Sequence, residues 1–179
     1  VFSQCTSKEG PGFSAHYWNN KEYEGNAVAT AQLTTPFRLC TSGATVFAPG
    51  VNLTDFSAVY QSVFTPQETG EVIFNFYSCG ATQLLINGEE VKKFTNKHGG
   101  RGQAYAMYAE AGKPYDIEIR FQYFSGDAQL NFDLGFKEEV NIKNTVAKVK
   151  DADVVIFAGG ISPSLEGEEM GVNLPGFRK

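Results

Sequence analysis

The sequence predicts a mainly β protein: an antiparallel, jelly-roll-like β-sandwich with a short α/β piece at its C-terminal end. Three observations carry this. Tyr115, Ile117, Ile119, Phe121 and Tyr123 alternate with Asp116, Glu118, Arg120 and Gln122, the period of a strand with one face in a core. After the turn Ser125-Gly126-Asp127 the alternation resumes in Ala128, Leu130, Phe132, Leu134 and Phe136, so the two segments read as a hairpin. Short strand-like runs also recur between Gly, Pro and Asn turn signals, the pattern of a sandwich module.

The elements follow in order. Residues 1–9 are polar and lead into Gly10-Pro11, a linker by composition. Phe13, Ala15 and Tyr17 alternate with Ser14, His16 and Trp18, which predicts the first strand. Residues 21–32 read as an extended surface segment, and 33–39 as a short strand interrupted by Pro36. Residues 43–55 are loop, and FSAVYQSVF over 56–64 resumes strand character until Pro66.

The stretch Gly70 to Val91 predicts a central meander. Val72, Phe74 and Phe76 face one way, Ser78-Cys79-Gly80 turns the chain, and Leu84-Leu85-Ile86 ends at Asn87-Gly88. That dipeptide suits a tight hairpin because both residues tolerate positive φ. Residues 92–102, rich in Gly, Asn and Lys, read as a polar loop, and 104–109 as a strand ending at Gly112.

The grammar changes after Lys137. Ile142, Val146 and Val149 fall at helical spacing, and Asp153 to Ala158 is a continuous apolar run ending in Gly159-Gly160. A helix followed by such a strand belongs to a parallel α/β sheet. Residues 138–179 are therefore expected to be the truncated start of another domain.

Fifteen Phe and eight Tyr in 179 residues can fill a sandwich core. The net charge of −5 argues against a nucleic-acid surface, which needs clustered Lys and Arg. No apolar run reaches the roughly 18 residues of a membrane span, so no membrane partner is expected. The opening VFSQCTSKEG lacks a basic segment before an apolar one, so no export signal is expected within this chain. Cys5, Cys40 and Cys79 are too few and too dispersed for a metal knuckle, though one disulfide is possible. His16 and His98 have no metal-ligand spacing.

Several phrases carry a family resemblance. Gly12-Phe13-Ser14-Ala15-His16-Tyr17-Trp18-Asn19 resembles the opening of the protective-antigen-type domain (the PA-fourteen domain), which begins with Gly, an apolar residue and an aromatic pair before Asn. FSAVYQSVFTPQETGEVIFNF, QLLINGEEV and AGKPYDIEIRF are similar to its later strands, with Asn87 where Asp is usual. The resemblance covers residues 10–137 and implies a β-sandwich that commonly contacts carbohydrate. Calcium-dependent adhesin members carry paired Asp residues where this chain has Ser78-Cys79. Calcium needs carboxylate ligands, so no metal is expected, and no other cofactor.

The tail, DADVVIFAGGISPSLEGEEMGVNLPGF, resembles the C-terminal α/β domain of glycoside hydrolase family three. Some members insert a protective-antigen-type domain before or within it. The resemblance implies a larger parent, a retaining, β-glucosidase-like β-glycosidase, bacterial and periplasmic or secreted. Its general acid/base would be Glu166 by position, with Glu168 as the alternative and Glu169 close by. Retaining hydrolysis needs two carboxyl groups flanking the scissile bond, and the family's nucleophile lies on a preceding barrel. The isolated chain is thus expected to be inactive, with a carbohydrate and the rest of the parent hydrolase as its partners.

Sugar recognition combines an aromatic platform with planar polar groups. Trp18, Tyr77, Asn75, Asn96, Lys97, His98 and Arg101 are of the right types, and Tyr77, Asn96, His98, Arg101 and Trp18 are the candidate substrate-binding residues. Core or sheet packing is the plain alternative for Trp18 and Tyr77. Three functions compete: a specificity module at the rim of the parent's pocket, an independent sugar-binding lectin-like module, and a structural spacer.

Overall fold

The computed structural model describes residues 1–137 and 142–156, and the chain divides into two compact units, Val1–Glu138 and Glu139–Lys179. The first unit is built from ten antiparallel strands: β1 (Cys5–Ser7), β2 (Gly10–Pro11), β3 (Phe13–Trp18), β4 (Ala29–Leu33), β5 (Phe37–Cys40), β6 (Ser57–Phe64), β7 (Gly70–Ile86), β8 (Glu89–Ala109), β9 (Tyr115–Gln122) and β10 (Gln129–Phe136). They form one hydrogen-bonded sheet that curls into two layers.

The long strands β7 and β8 belong to both layers. The first part of β7, Val72 to Cys79, pairs with β10, which pairs in turn with β5. The second part, Ala81 to Ile86, pairs with β9, which leads to β6, β3 and β4. The layers meet through aromatic rings: Phe13 of β3 lies 5.6 Å from Phe132 of β10, and Phe37 of β5 lies 4.8 Å from Tyr60 of β6. Phe13, Tyr17, Phe64, Phe74, Phe121 and Phe132 are fully buried. Burying each such ring contributes roughly 1.5–3 kcal/mol relative to exposure. The antiparallel sandwich expected from the alternating patterns is the observed fold.

Four local expectations fail, each for a physical reason. Ser78-Cys79-Gly80 does not end a strand; it creases the continuous β7. Gly80 has φ of +144°, and a Cβ there would stand 2.5 Å from the Phe121 ring and 2.9 Å from the Gln122 carbonyl oxygen. Only glycine lets the strand pass so close to β9. Residues 92–102 are not a loop but part of the 21-residue β8. Its Lys and Gly residues fit a strand that pairs only with β7 among the described residues, since lysines are common on sheet edges.

Residues 1–9 are no linker. Phe2 is buried against Phe13 and Phe37 at 5.4 and 6.0 Å, and β1 pairs with β6. The segment 21–32 contains the start of β4, whose small Ala29 and Ala31 gave no strand signal. Pro36 separates β4 from β5, and Asn87-Gly88 turns with φ of 52° and 80°.

In the second unit the expected helix is present as α1 (Ile142–Val149), with Ile142 and Val146 exposed along its apolar stripe. Val154 to Ile156 form no strand and are exposed. The rest of the expected apolar strand lies outside the described residues.

Candidate functional site

The crease in β7 builds the site. Ser78 opposes Arg101 and Gly80 opposes Asn96, so residues 97–100 of β8 bulge out opposite Cys79 alone. Polar contacts hold this geometry. The Asn96 side-chain amide donates to the Ser78 carbonyl at 2.8 Å, the Cys79 thiol donates to the Asn96 carbonyl at 3.8 Å, and the buried Ser78 and Thr82 hydroxyls lie 2.8 Å apart. Ser125, in the turn before β10, donates through its hydroxyl to the Lys97 carbonyl at 2.7 Å. The Lys97 ammonium stands 5.2 Å from the centre of the Phe124 ring, within cation–π range.

A cleft of about 460 Å³ opens beside the bulge, lined by Cys40, Cys79, Lys97, Gly100, Ser125 and Asp127 among others. The Tyr77 ring lies on Gly100: a Cβ there would come within 2.0 Å of its Cε1. Tyr77 is 44% exposed. It lines a separate cleft of about 210 Å³ on the outer face of β5, β10 and β7, together with Arg38, Asn75, Asn131 and Asp133. The register explains the assembly, because Asn131 pairs with both Arg38 and Tyr77 while Asp133 pairs with Asn75. An exposed ring among a guanidinium, two amides and a carboxylate matches the apolar face and hydroxyl rim of a sugar.

The candidates from the sequence therefore separate. Tyr77, Asn96 and Arg101 gather at the crease, where Arg101 is exposed, and His98 falls in the bulged stretch of chain between Asn96 and Arg101. Asn96 spends its amide on the backbone of Ser78, a structural task. Trp18 belongs to the other layer: it pairs with Ser57 of β6, and its indole donates to the Gly25 carbonyl at 3.0 Å. It shares no cleft with Tyr77. Glu166 and Glu168 lie outside the described residues.

Sequence reasoning missed Arg38, Asn131, Asp133 and Asp127. Alternation placed Asn131 and Asp133 on the outer face of their strand, but their neighbours depend on the pairing of β10 with β5 and β7. Among the described residues no group of three or more His, Cys, Asp or Glu side chains could hold a metal ion. Cys40 and Cys79 both pair with Gln129, from opposite sides. Two strand spacings, about 9.6 Å, exceed the reach of a disulfide, and none of the three cysteines forms one.

Comparisons with known proteins agree with this architecture. The model of a family described as the PA14 domain matches residues 9–162. A xylan 1,4-beta-xylosidase from Xylanibacter ruminicola is 38% identical over 180 residues, a match that covers 98% of this chain and 21% of that protein. The chain thus spans about a fifth of that relative's length. The β-glucosidase from Kluyveromyces marxianus, solved in complex with glucose, superposes with a TM-score of 0.59 at 12% identity, over 83% of this chain and 19% of that one. The A domain of epithelial adhesin 6 from Candida glabrata, solved with Galβ1-3GlcNAc, gives a TM-score of 0.55 at 13% identity, over 73% and 81%. These two structures share the fold.

Proposed function

We propose, from the premise that the chain belongs to the PA14 domain family, that it is the carbohydrate-contacting specificity module of a larger retaining β-glycosidase. The observation that carries this reading is the exposed Tyr77 ring, seated on Gly100 and ringed by Arg38, Asn75, Asn131 and Asp133 beside the crease cleft. Loops and bulges at the end of a rigid sandwich are where binding residues concentrate. The similarity to one fifth of a β-xylosidase supports a parent that acts on β-linked glycosides.

In this reading the module forms one wall of the parent's substrate pocket. Residues 97–100, with Arg101, touch sugar units beyond the scissile bond. The parent is exported, periplasmic or secreted, and Glu166, with Glu168 as the alternative, is its general acid/base. A proton donor matters most when the leaving group is poor. Glu166→Gln in the parent would then depress turnover of unactivated disaccharides far more than that of activated aryl glycosides; equal losses on both would remove Glu166 from the role.

The experiment for the module is Arg101→Ala in the parent. The expected result is a raised KM for longer glycosides with little change for short ones. Unchanged kinetics would take the bulge out of the pocket. Deleting residues 10–137 separates rim from spacer: a changed substrate ranking supports the rim, and a uniform loss supports the spacer.

A further inference from the structure

We propose that the outer face of the β3, β6 and β9 layer is a second glycan-binding groove, one that seats a linear, uncharged β-linked oligosaccharide on Trp18. The inference rests on the carbohydrate reading above but uses different residues on the opposite layer. Register places His16 and Trp18 of β3, Val59 and Gln61 of β6, and Glu118 and Arg120 of β9 on one side of adjacent strands. All six line a cleft of about 480 Å³ that Tyr23 closes at one side.

The aromatic wall is fixed in place. The His16 ring stacks on Trp18 at 6.3 Å, and Tyr23 meets Trp18 edge-on at 5.9 Å. The loop that carries Tyr23 is tied to the sheet: the Trp18 indole donates to the Gly25 carbonyl, and the Gln122 amide donates to the Lys21 carbonyl at 2.6 Å. Tyr23 itself holds φ of 60°, a strained conformation for a bulky residue and one that clusters at functional sites. Tyr23 is the only residue of that loop on the cleft, so the strained backbone delivers its ring there.

The floor is a planar polar array. Glu118 accepts from the Gln61 amide at 2.7 Å and from Arg120 Nε at 2.5 Å. This orients the carboxylate and leaves the two terminal guanidinium nitrogens and the side-chain Oε1 of Gln61 for a ligand's hydroxyls. A second cleft of about 440 Å³ shares Gln61, Glu118 and Arg120 and continues past Ser14 to Glu9 and Asp116. Each lobe falls in the roughly 300–1,000 Å³ range of ligand sites, and their continuity fits several sugar rings in line.

Charge favours an uncharged ligand. Lys8 and Arg120 stand against Glu9, Asp116 and Glu118, so a phosphate or uronate would meet an excess of carboxylates. A neutral glycan meets matched donors and acceptors over an aromatic wall.

The test uses Trp18, the single tryptophan of the chain, as its own reporter. Xylohexaose and cellohexaose are titrated into the 179-residue chain while indole emission and backbone amide shifts are followed. The expected result is a saturable emission change with at least one hexasaccharide. It should weaken tenfold or more in Arg120→Ala and in Gln61→Ala. Gln61 is exposed, so its variant keeps the test valid if Arg120→Ala fails to fold. Emission unmoved at millimolar hexasaccharide would overturn the groove, as would an equal change in folded Gln61→Ala. Amide shifts at 77 and 96–101 without an emission change would sink the groove and keep the crease site. An emission change without those shifts would support the groove as a site of the chain's own, separate from the crease, whose test is Arg101→Ala in the parent.

Discussion

Tyr77 packs against Gly100, so close that a single methyl group on Gly100 would sit 2.0 Å from the ring's Cε1 and 2.6 Å from its Cδ1. The two residues face each other across the crease, one on each long strand, and the absence of a side chain on one creates the seat for the other. Tyr77 is exposed on its far side, so its ring is free to swing away if the seat is filled.

Gly100→Ala is therefore expected to act on binding more than on stability. The ring moves out, and unfolding shifts by little more than the roughly 0.5 kcal/mol usual for surface substitutions. Affinity for the crease ligand should fall severalfold, as it should in Tyr77→Ala. Melting curves and sugar titrations on the two variants check this. A large drop in melting temperature with unchanged affinity would mean that the Tyr77 ring is structural.

Gly80→Ala makes the opposite case. The added methyl meets the buried Phe121 ring at 2.5 Å and the Gln122 carbonyl oxygen at 2.9 Å, at a φ of +144°. Neither neighbour can retreat, since Phe121 is fully buried and Gln122 sits in the β9 ladder. Overpacking and backbone strain together should cost on the order of 3 kcal/mol. Denaturant unfolding measures it, and a loss under about 1 kcal/mol would show that the crease can relax.

These two glycines mark where the sequence stopped being legible. Alternation in 115–136 and 70–76 revealed the core-facing side chains directly, because burial on one face imposes period two. It did not reveal that β7 runs through Ser78-Cys79-Gly80, since a small polar triplet serves a turn and a crease equally well. What distinguishes them is Phe121, 41 residues further along the chain, whose ring occupies the space beside Gly80. The candidate site suffered likewise. Tyr77 was recognisable by type and place, whereas Arg38 and Asn131 became its neighbours only through strand pairing. Trp18 had the right chemistry, but register puts it on the other layer, and the short polar opening concealed Phe2 as a core residue.

Asn96 can be tested as a clamp. Its amide donates to the Ser78 carbonyl, and its own carbonyl accepts from the Cys79 thiol. Asn96→Ala leaves the Ser78 carbonyl without this donor in a part-buried position, a loss of about 1–3 kcal/mol. Asn96→Asp presents an acceptor to an acceptor and should be worse. If both variants melt like the parent sequence but bind sugar tenfold more weakly, Asn96 contacts ligand and is not a clamp.

The core also sets an alkaline limit on stability. Tyr17 and Tyr60 meet edge-to-face at 5.9 Å in the interior. Burial pushes the Tyr17 phenol up to about 12 and the Tyr60 phenol well above its ordinary value of 10.0. An unfolded chain releases these protons near pH 10, whereas the folded chain holds them, so above pH 10 the unfolded state binds fewer protons and gains in relative stability. The contribution is complete below pH 10 and falls as pH rises towards 12 and beyond. Cys5, buried and raised to about 12, adds in the same direction from its ordinary value of 9.0. Unfolding free energy should thus decline from pH 9 to 12, with the ultraviolet signature of the two buried tyrosinates appearing only as the fold is lost. Tyr60→Phe removes one titrating group and should flatten the decline. Tyrosinate absorbance from all eight tyrosines near pH 10 in a chain that remains folded would contradict the burial of this pair.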